Sequence, residues 1–166
     1  VEAIKLHDDA LPCAQPPRIV NADTLLVAGI GARHHGASVA AIPSQWQRLA
    51  LHCPTAPEVS YGVCCNSDDD GSFDYIAGIG VAGFAALPDG WQTVRIPAHR
   101  YVVAWHAGHI SAIRSTWYWL LNHYLPASGL SLADAPELER YDARFDAHSG
   151  HGGVEIWLPL TDTDPT

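Results

Sequence analysis

Two segments of the chain repeat one another at a spacing of 71 residues. Residues 42–46 (IPSQW) match residues 113–117 (IRSTW), and Leu49 matches Leu120 at the same spacing. An internal repeat of this length indicates two similar structural units. A chain of 166 residues is long enough for both units to bury a shared hydrophobic core within one domain.

Both repeats have the same predicted order of elements, which is strand, helix, strand, strand. In the second repeat Trp117, Leu120, Leu121 and Tyr124 recur at helical spacing and form one apolar face. The fold class predicted is therefore α+β, with duplicated β-α-β-β units in one antiparallel sheet and two helices on one face. The strands are predicted at residues 18–20, 25–30, 61–65, 73–81, 91–96, 100–105, 138–142 and 153–159. One helix is predicted to start near residue 42 and to end before Pro54, and a second is predicted at about 111–124.

The domain organisation follows from the same pattern. Residues 1–17 contain three prolines and predict an irregular lead-in. Residues 18–166 are predicted to form a single domain, with pseudo-repeats at about 18–82 and 91–160. Pro126 and Gly129 are expected to stop the second helix.

Charge and cysteine content exclude several classes of protein. The formal net charge is −9, so a phosphate backbone would be repelled and direct nucleic-acid binding is not expected. An acidic field attracts cationic small molecules. No apolar stretch is long enough to span a bilayer, which excludes a membrane partner. The four cysteines form no C-x-x-C pair and predict reduced thiols in a cytoplasmic protein.

Five stretches in order carry a resemblance to a known family. They are residues 73–81 (FDYIAGIGV), 87–103, 116–130, 135–146 (APELERYDARFD) and 153–160 (GVEIWLPL). In these stretches the chain resembles the GyrI-like small-molecule-binding family, which includes the effector-binding domains of AraC- and MerR-type regulators. The resemblance implies an SHS2-type duplicated fold with a central cleft lined by aromatic residues. It also implies a glutamate on the last strand that receives lipophilic cations.

By motif, the glutamate implied by the resemblance is Glu155. It interrupts an apolar strand, where a buried carboxylate is costly unless it is paired. Glu155 is therefore predicted either to face water or to await a partner that the chain does not supply. Aromatic side chains in the matched stretches complete the predicted ligand site. Its members are Glu155, Trp157, Tyr75, Trp105, Trp117, Tyr61 and His106. Core packing is the preferred interpretation for Trp117, as it is for Trp46 on the first helix, and His106 would border the mouth of the cleft.

Other chemistries find little support in the sequence. The pairs His106/His109 and His148/His151 have the spacing of metal ligands, but solvated loop histidines explain them better, and no metal or cofactor is predicted. No P-loop or G-x-S-x-G motif occurs. The leading hypothesis is a domain that binds lipophilic, cationic aromatic compounds and lacks its own DNA-binding part.

Two alternatives remain open. The first is a small hydrolase of electrophilic or strained-ring compounds, in which Glu155 acts as the catalytic general base. The second and weaker one is a gyrase-inhibitor-like interaction module. A DNA-binding domain or protein partner could also act in trans.

Overall fold

The computed structural model describes residues 15–162. They form an antiparallel sheet of eight strands with helices packed on it, which confirms the predicted α+β class. Residues 1–14 of the predicted lead-in lie outside the described part of the chain. The strands are β1 (Arg18–Ala22), β2 (Leu25–His34), β3 (Ser60–Cys65), β4 (Phe73–Gly80), β5 (Gln92–Ile96), β6 (His99–His106), β7 (Glu137–Tyr141) and β8 (Val154–Pro159).

The order of the strands shows the duplication. Across the sheet it is β1-β6-β8-β7-β3-β4-β2-β5, so that β7 and β3 meet at the centre and each is flanked by its own unit. The two edge strands are exchanged between the units. β1 precedes β2 in the chain but pairs with β6, and β5 precedes β6 but pairs with β2.

The short connection between β1 and β2 curls the sheet. Only Asp23 and Thr24 join β1, at one edge of the sheet, to β2 near the other edge. Such a connection spans at most about 11 Å. The two edges are therefore drawn together, and one face of the sheet becomes concave. Every strand contributes to a single apolar cluster on this inner face, whose members include Val20, Val27, Val63, Ile76, Ile96, Tyr101, Val103, Leu138 and Trp157.

The helices cover the opposite, outer face. Helix α1 (Ile42–Leu51) starts with a proline in its first turn, a position that needs no backbone N–H donor. Helix α2 (Ile113–Trp119) continues without a break into a π-helical turn (Leu120–Tyr124) and then into α3 (Leu125–Ser128). A second apolar cluster lies between these helical segments and the sheet, and its buried members are Val102, Ala104, Leu120, Leu125, Ile156, Leu158 and Leu160.

The second helical region is longer than predicted. Pro126 does not stop it. Proline has no N–H to donate to the carbonyl four residues earlier, and the preceding π-helical turn widens the helix so that the proline ring is accommodated. The helix ends instead at Gly129, whose φ of 70° is the left-handed conformation that closes helices.

Candidate functional site

A buried carboxylate lies at the centre of the outer face. Glu139, on the central strand β7, is only 8% exposed. Its Oε1 accepts hydrogen bonds from the hydroxyls of Tyr75 (2.9 Å) and Tyr141 (3.0 Å), and its Oε2 accepts one from the indole N–H of Trp117 (3.3 Å). All three donors are neutral. Within residues 15–162 the structure gives Glu139 no cationic partner.

A fourth aromatic side chain completes the surroundings. The indole N–H of Trp46 donates to the hydroxyl of Tyr75 at 3.1 Å, and the Trp46 ring meets the ring of Tyr141 edge-on at a centroid distance of 4.9 Å. Trp46 lies on α1 and Trp117 on α2, at equivalent positions of the repeat. Both helices therefore direct a tryptophan toward the same central strand. We call Glu139 and its four aromatic neighbours, Trp46, Tyr75, Trp117 and Tyr141, the Glu139 cage.

A glycine on the neighbouring strand leaves room for the cage. Gly62 of β3 is directly paired with Glu139 of β7. A Cβ atom at Gly62 would lie 2.7 Å from Oε1 of Glu139 and would also collide with the hydroxyl of Tyr75. The carboxylate and the phenol therefore occupy space that any other residue at position 62 would fill.

Burial sets the electrostatics of the cage. Desolvation raises the pKa of Glu139, while its hydrogen bonds from Tyr75, Tyr141 and Trp117 act in the opposite direction. The pKa values of Tyr75 and Tyr141 lie well above the ordinary value, first because of burial and then because of the nearby Glu139 charge. Both phenols thus remain neutral donors. An ionised Glu139 here carries a negative charge that only neutral dipoles compensate.

Glu155 has a different environment on the inner face. It is buried, so it does not face water, and the chain itself supplies its partners. Neither of the two predicted environments is therefore observed. Arg18 Nη2 lies 2.7 Å from Oε2, and Arg140 Nη1 lies 3.1 Å from Oε1. Arg140 is the residue paired with Glu155 across β7 and β8, and it also contacts Asp142 at 3.2 Å. Each of the two carboxylate oxygens therefore has a cationic partner within the chain.

The inner face also contains a cavity of about 180 Å³. It lies at the end of the sheet where β1 connects to β2, and most of its wall is apolar or aromatic. The guanidinium-bearing side chain of Arg140 reaches its edge. The lining residues are Ala22, Asp23, Thr24, Leu25, Tyr61, Ile96, Tyr101, Leu138, Arg140 and Trp157.

Comparison with known proteins places the chain in a family. The model of the GyrI-like small molecule binding domain matches residues 15–161. This chain belongs to the GyrI-like family. It is 31% identical over 105 residues to the transcriptional regulator BrlR of Pseudomonas aeruginosa, and the match covers 63% of this chain and 38% of BrlR. The matched region thus spans well under half of that regulator's length.

Solved structures agree on the fold. SAV2435, solved bound to tetraphenylphosphonium, superposes with a TM-score of 0.68 at 18% identity, covering 89% of this chain and 95% of SAV2435. The C-terminal domain of EcmrR superposes with a TM-score of 0.60 at 14% identity, covering 88% of this chain and 97% of that domain. At these identities the likeness shows a shared GyrI-like fold.

The predicted site residues of this GyrI-like domain divide between the two faces. Tyr75 and Trp117 belong to the Glu139 cage on the outer face. Tyr61 and Trp157 line the cavity on the inner face, the side on which Glu155 pairs with its arginines. The sheet separates these two groups, so they do not form one cleft.

The remaining two predicted residues join neither group. Trp105 is on the inner face, where the Arg144 guanidinium stacks on its ring at 4.0 Å. His106 is buried at the sheet edge beneath the start of α2. Its Nδ1 lies 2.6 Å from the Thr116 hydroxyl, and its Nε2 lies 2.9 Å from the His109 carbonyl oxygen. His106 therefore anchors the helix to β6.

Sequence reasoning missed Glu139 and Tyr141 and assigned Trp46 to core packing. The signal was the alternation along β7, because Leu138 faces the inner cluster and its neighbour Glu139 must then face the helices. In the described part of the chain, no group of three or more His, Cys, Asp or Glu side chains could hold a metal ion. Among the same residues, no helix is long and apolar enough to cross a membrane.

Proposed function

We propose that this GyrI-like domain binds lipophilic, cationic aromatic compounds and that the Glu139 cage is the binding site. The observation that carries the proposal is a buried carboxylate whose partners are all neutral aromatic donors. A ligand cation would supply the opposite charge that Glu139 lacks. In a desolvated setting such a pair is worth more than an exposed salt bridge.

The aromatic neighbours suit the same ligand. Trp46, Tyr75, Trp117 and Tyr141 present ring faces and edges around one carboxylate, and cations are attracted to aromatic faces. Flat aromatic groups on the ligand would stack on the tryptophans. The net charge of −9 favours the approach of cations. SAV2435, which has the same fold, was solved with the lipophilic cation tetraphenylphosphonium.

Entry to the cage runs between the helices. Trp46 and Trp117 are half-buried, and each comes from a different helix. Trp117 donates to Glu139 and Trp46 donates to Tyr75, so both tryptophans lie on the helix side of the carboxylate. A ligand would reach the carboxylate when one of these side chains moves outward. The π-helical turn begins three residues after Trp117 and widens the same helical region. Such turns are frequent at functional sites.

In the cell, we propose that the domain senses its ligand for a regulator whose DNA-binding part is a separate segment or partner. The match to part of BrlR supports this role. The free thiols of Cys53, Cys64 and Cys65 fit a cytoplasmic location. Glu155 is then a structural residue, with Arg18 and Arg140 as its counter-charges.

The decisive experiment compares two Glu→Gln variants. Binding of tetraphenylphosphonium and of neutral triphenylphosphine oxide is measured by isothermal titration calorimetry for wild type, Glu139→Gln and Glu155→Gln. We expect Glu139→Gln to weaken binding of the cation more than tenfold and to leave the weaker binding of the neutral compound unchanged. Circular dichroism establishes that each variant is folded.

The matched Glu155→Gln variant separates the two carboxylates. It should retain the cation affinity of wild type within about threefold, because its carboxylate lies across the sheet from the cage. A tenfold loss of cation affinity in Glu155→Gln, with none in Glu139→Gln, would place the cation site on the inner face instead. Equal affinity in all three proteins would overturn a charge-based site altogether.

A further inference from the structure

The two carboxylate oxygens of Glu139 have different surroundings. Oε1 accepts hydrogen bonds from the hydroxyls of Tyr75 (2.9 Å) and Tyr141 (3.0 Å). It also lies close to Gly62 of β3, where a Cβ atom would be 2.7 Å from it. Oε2 accepts one hydrogen bond, from the indole N–H of Trp117 at 3.3 Å. This distance exceeds the usual N–H···O range of about 2.7–3.2 Å, so the Trp117 contact is the weakest of the three.

One acceptor position of the Glu139 carboxylate is therefore open. Each carboxylate oxygen can accept about two hydrogen bonds. Oε1 has its two donors, whereas Oε2 receives only one from residues 15–162. The open position lies on the side of helix α2, because the single donor to Oε2 is Trp117 of that helix. A ligand that enters between the helices would therefore meet Oε2 rather than Oε1.

An open acceptor position distinguishes between two kinds of organic cation. A quaternary ammonium or phosphonium ion offers a buried carboxylate its charge and its apolar surface, but no N–H donor. A protonated amine offers the same charge together with an N–H group, and burying that group without an acceptor is costly. A hydrogen bond between N–H⁺ and a carboxylate is roughly twice as strong as one between neutral groups. At equal size and charge, the cage should therefore bind the cation that carries an N–H more tightly.

We propose that the Glu139 cage selects lipophilic aromatic amines in their protonated form, and that the ligand N–H donates to Oε2 of Glu139. This inference rests on the proposed cation site and narrows its ligand class. Charge attracts every cation, and the N–H group selects among them. Trp117 is the tryptophan next to the ligand N–H. Trp46 is not, because its indole donates to the hydroxyl of Tyr75 and not to the carboxylate.

The experiment uses a matched pair of probes, N-methyldibenzylamine in its protonated form and the dibenzyldimethylammonium ion, in which a methyl group replaces the N–H. Binding to the wild-type protein is measured near neutral pH by isothermal titration calorimetry. We expect the protonated amine to bind at least about fivefold more tightly, although the extra methyl group gives the quaternary ion more apolar surface. Equal or tighter binding of the quaternary ion would overturn the preference and leave the cation site intact. Binding of neither probe would overturn the cation site, and the preference with it.

Two Trp→Phe variants separate hydrogen bonding from size. Trp117→Phe removes the indole N–H from Oε2 and leaves a smaller ring, so the ratio of the two probe affinities should stay as large as in wild type or increase. If the extra methyl group were merely too large, the smaller ring would make room for it, and a ratio near one in Trp117→Phe would overturn the proposal. Trp46→Phe is the matched control from the other repeat and should keep the ratio within about twofold, because its N–H does not contact the carboxylate.

Discussion

Tyr75 and Glu139 lie 64 positions apart, on strands of different units, and are joined by a hydrogen bond of 2.9 Å. Trp117 of the second unit donates to the same carboxylate, and Trp46 of the first unit reaches it through the hydroxyl of Tyr75. The cage therefore exists only where the two repeats meet. Neither repeat alone contains both a complete aromatic wall and the carboxylate.

The first prediction concerns pH. Burial raises the pKa of Glu139 above its ordinary value of 4.5. Between the pKa of the unfolded chain and the raised pKa of the folded protein, the folded protein binds more protons than the unfolded chain. The Glu139 contribution to stability should therefore be lost as pH rises through this window, and cation affinity should increase over the same window. Thermal unfolding of wild type and Glu139→Gln from pH 4 to 9, with and without tetraphenylphosphonium, measures both. Identical pH profiles for the two proteins would contradict the assignment.

A second prediction concerns the space at Gly62. Gly62→Ala places a Cβ against Glu139 and Tyr75, so we expect a loss of about 1–3 kcal/mol in the free energy of unfolding and at least a tenfold loss of cation affinity. Gly83→Ala is the matched control, because a Cβ there meets no atom within 4 Å. Urea unfolding and calorimetric titration provide the two readouts. Normal cation binding by Gly62→Ala would show that the cage does not form the site.

The third prediction concerns the partners of Glu155. Arg140→Ala should cost more stability than Arg18→Ala, because the Arg140 side chain is 29% exposed and the Arg18 side chain 56% exposed. We expect about 1–3 kcal/mol for Arg140→Ala and under about 1 kcal/mol for Arg18→Ala, measured by urea unfolding. Arg140→Met retains the aliphatic stem and separates the effect of lost charge from that of lost packing. A larger loss of stability in Arg18→Ala than in Arg140→Ala would mean that the ion pair from the edge strand β1 contributes more than the one from β7.

A fourth prediction concerns the attachment of α1. The side-chain amide of buried Gln45 donates to the carbonyl oxygens of Ile30 and Tyr75, and its Oε1 lies 2.5 Å from Nε2 of His34. Gln45→Leu removes all three contacts while retaining similar volume, so we expect a loss of about 2 kcal/mol in the free energy of unfolding. Gln47→Leu, at an exposed position of the same helix, is the control. A Gln45→Leu protein as stable as wild type would contradict this role.

The strands were predictable because their apolar residues alternate or run continuously between turn residues. The strand predicted at 73–81, for example, is observed as Phe73–Gly80. The repeat likewise revealed the duplicated arrangement, since equivalent tryptophans mark equivalent helices. The end of the second helix was not predictable, because the π-helical turn that accommodates Pro126 depends on packing rather than on local preference.

The site was less predictable for a physical reason. The partners of Glu155 are set by the register of β7 against β8, which places Arg140 opposite it, and by the exchange of β1, which brings Arg18 from 137 positions away. A single sequence does not specify such pairings. Glu139 could be placed on a face by alternation, but its four aromatic neighbours come from four different elements. Only the assembled fold brings them together.

The exchange of edge strands has a consequence for the independence of the two units. By chain order β1 belongs to the first unit and β5 to the second, yet each is hydrogen-bonded to the opposite unit. Each unit is therefore completed by a strand of the other, as in a homodimer with exchanged arms. Because the two units differ in sequence, their shared centre is asymmetric, and Glu139 of one unit faces Gly62 of the other.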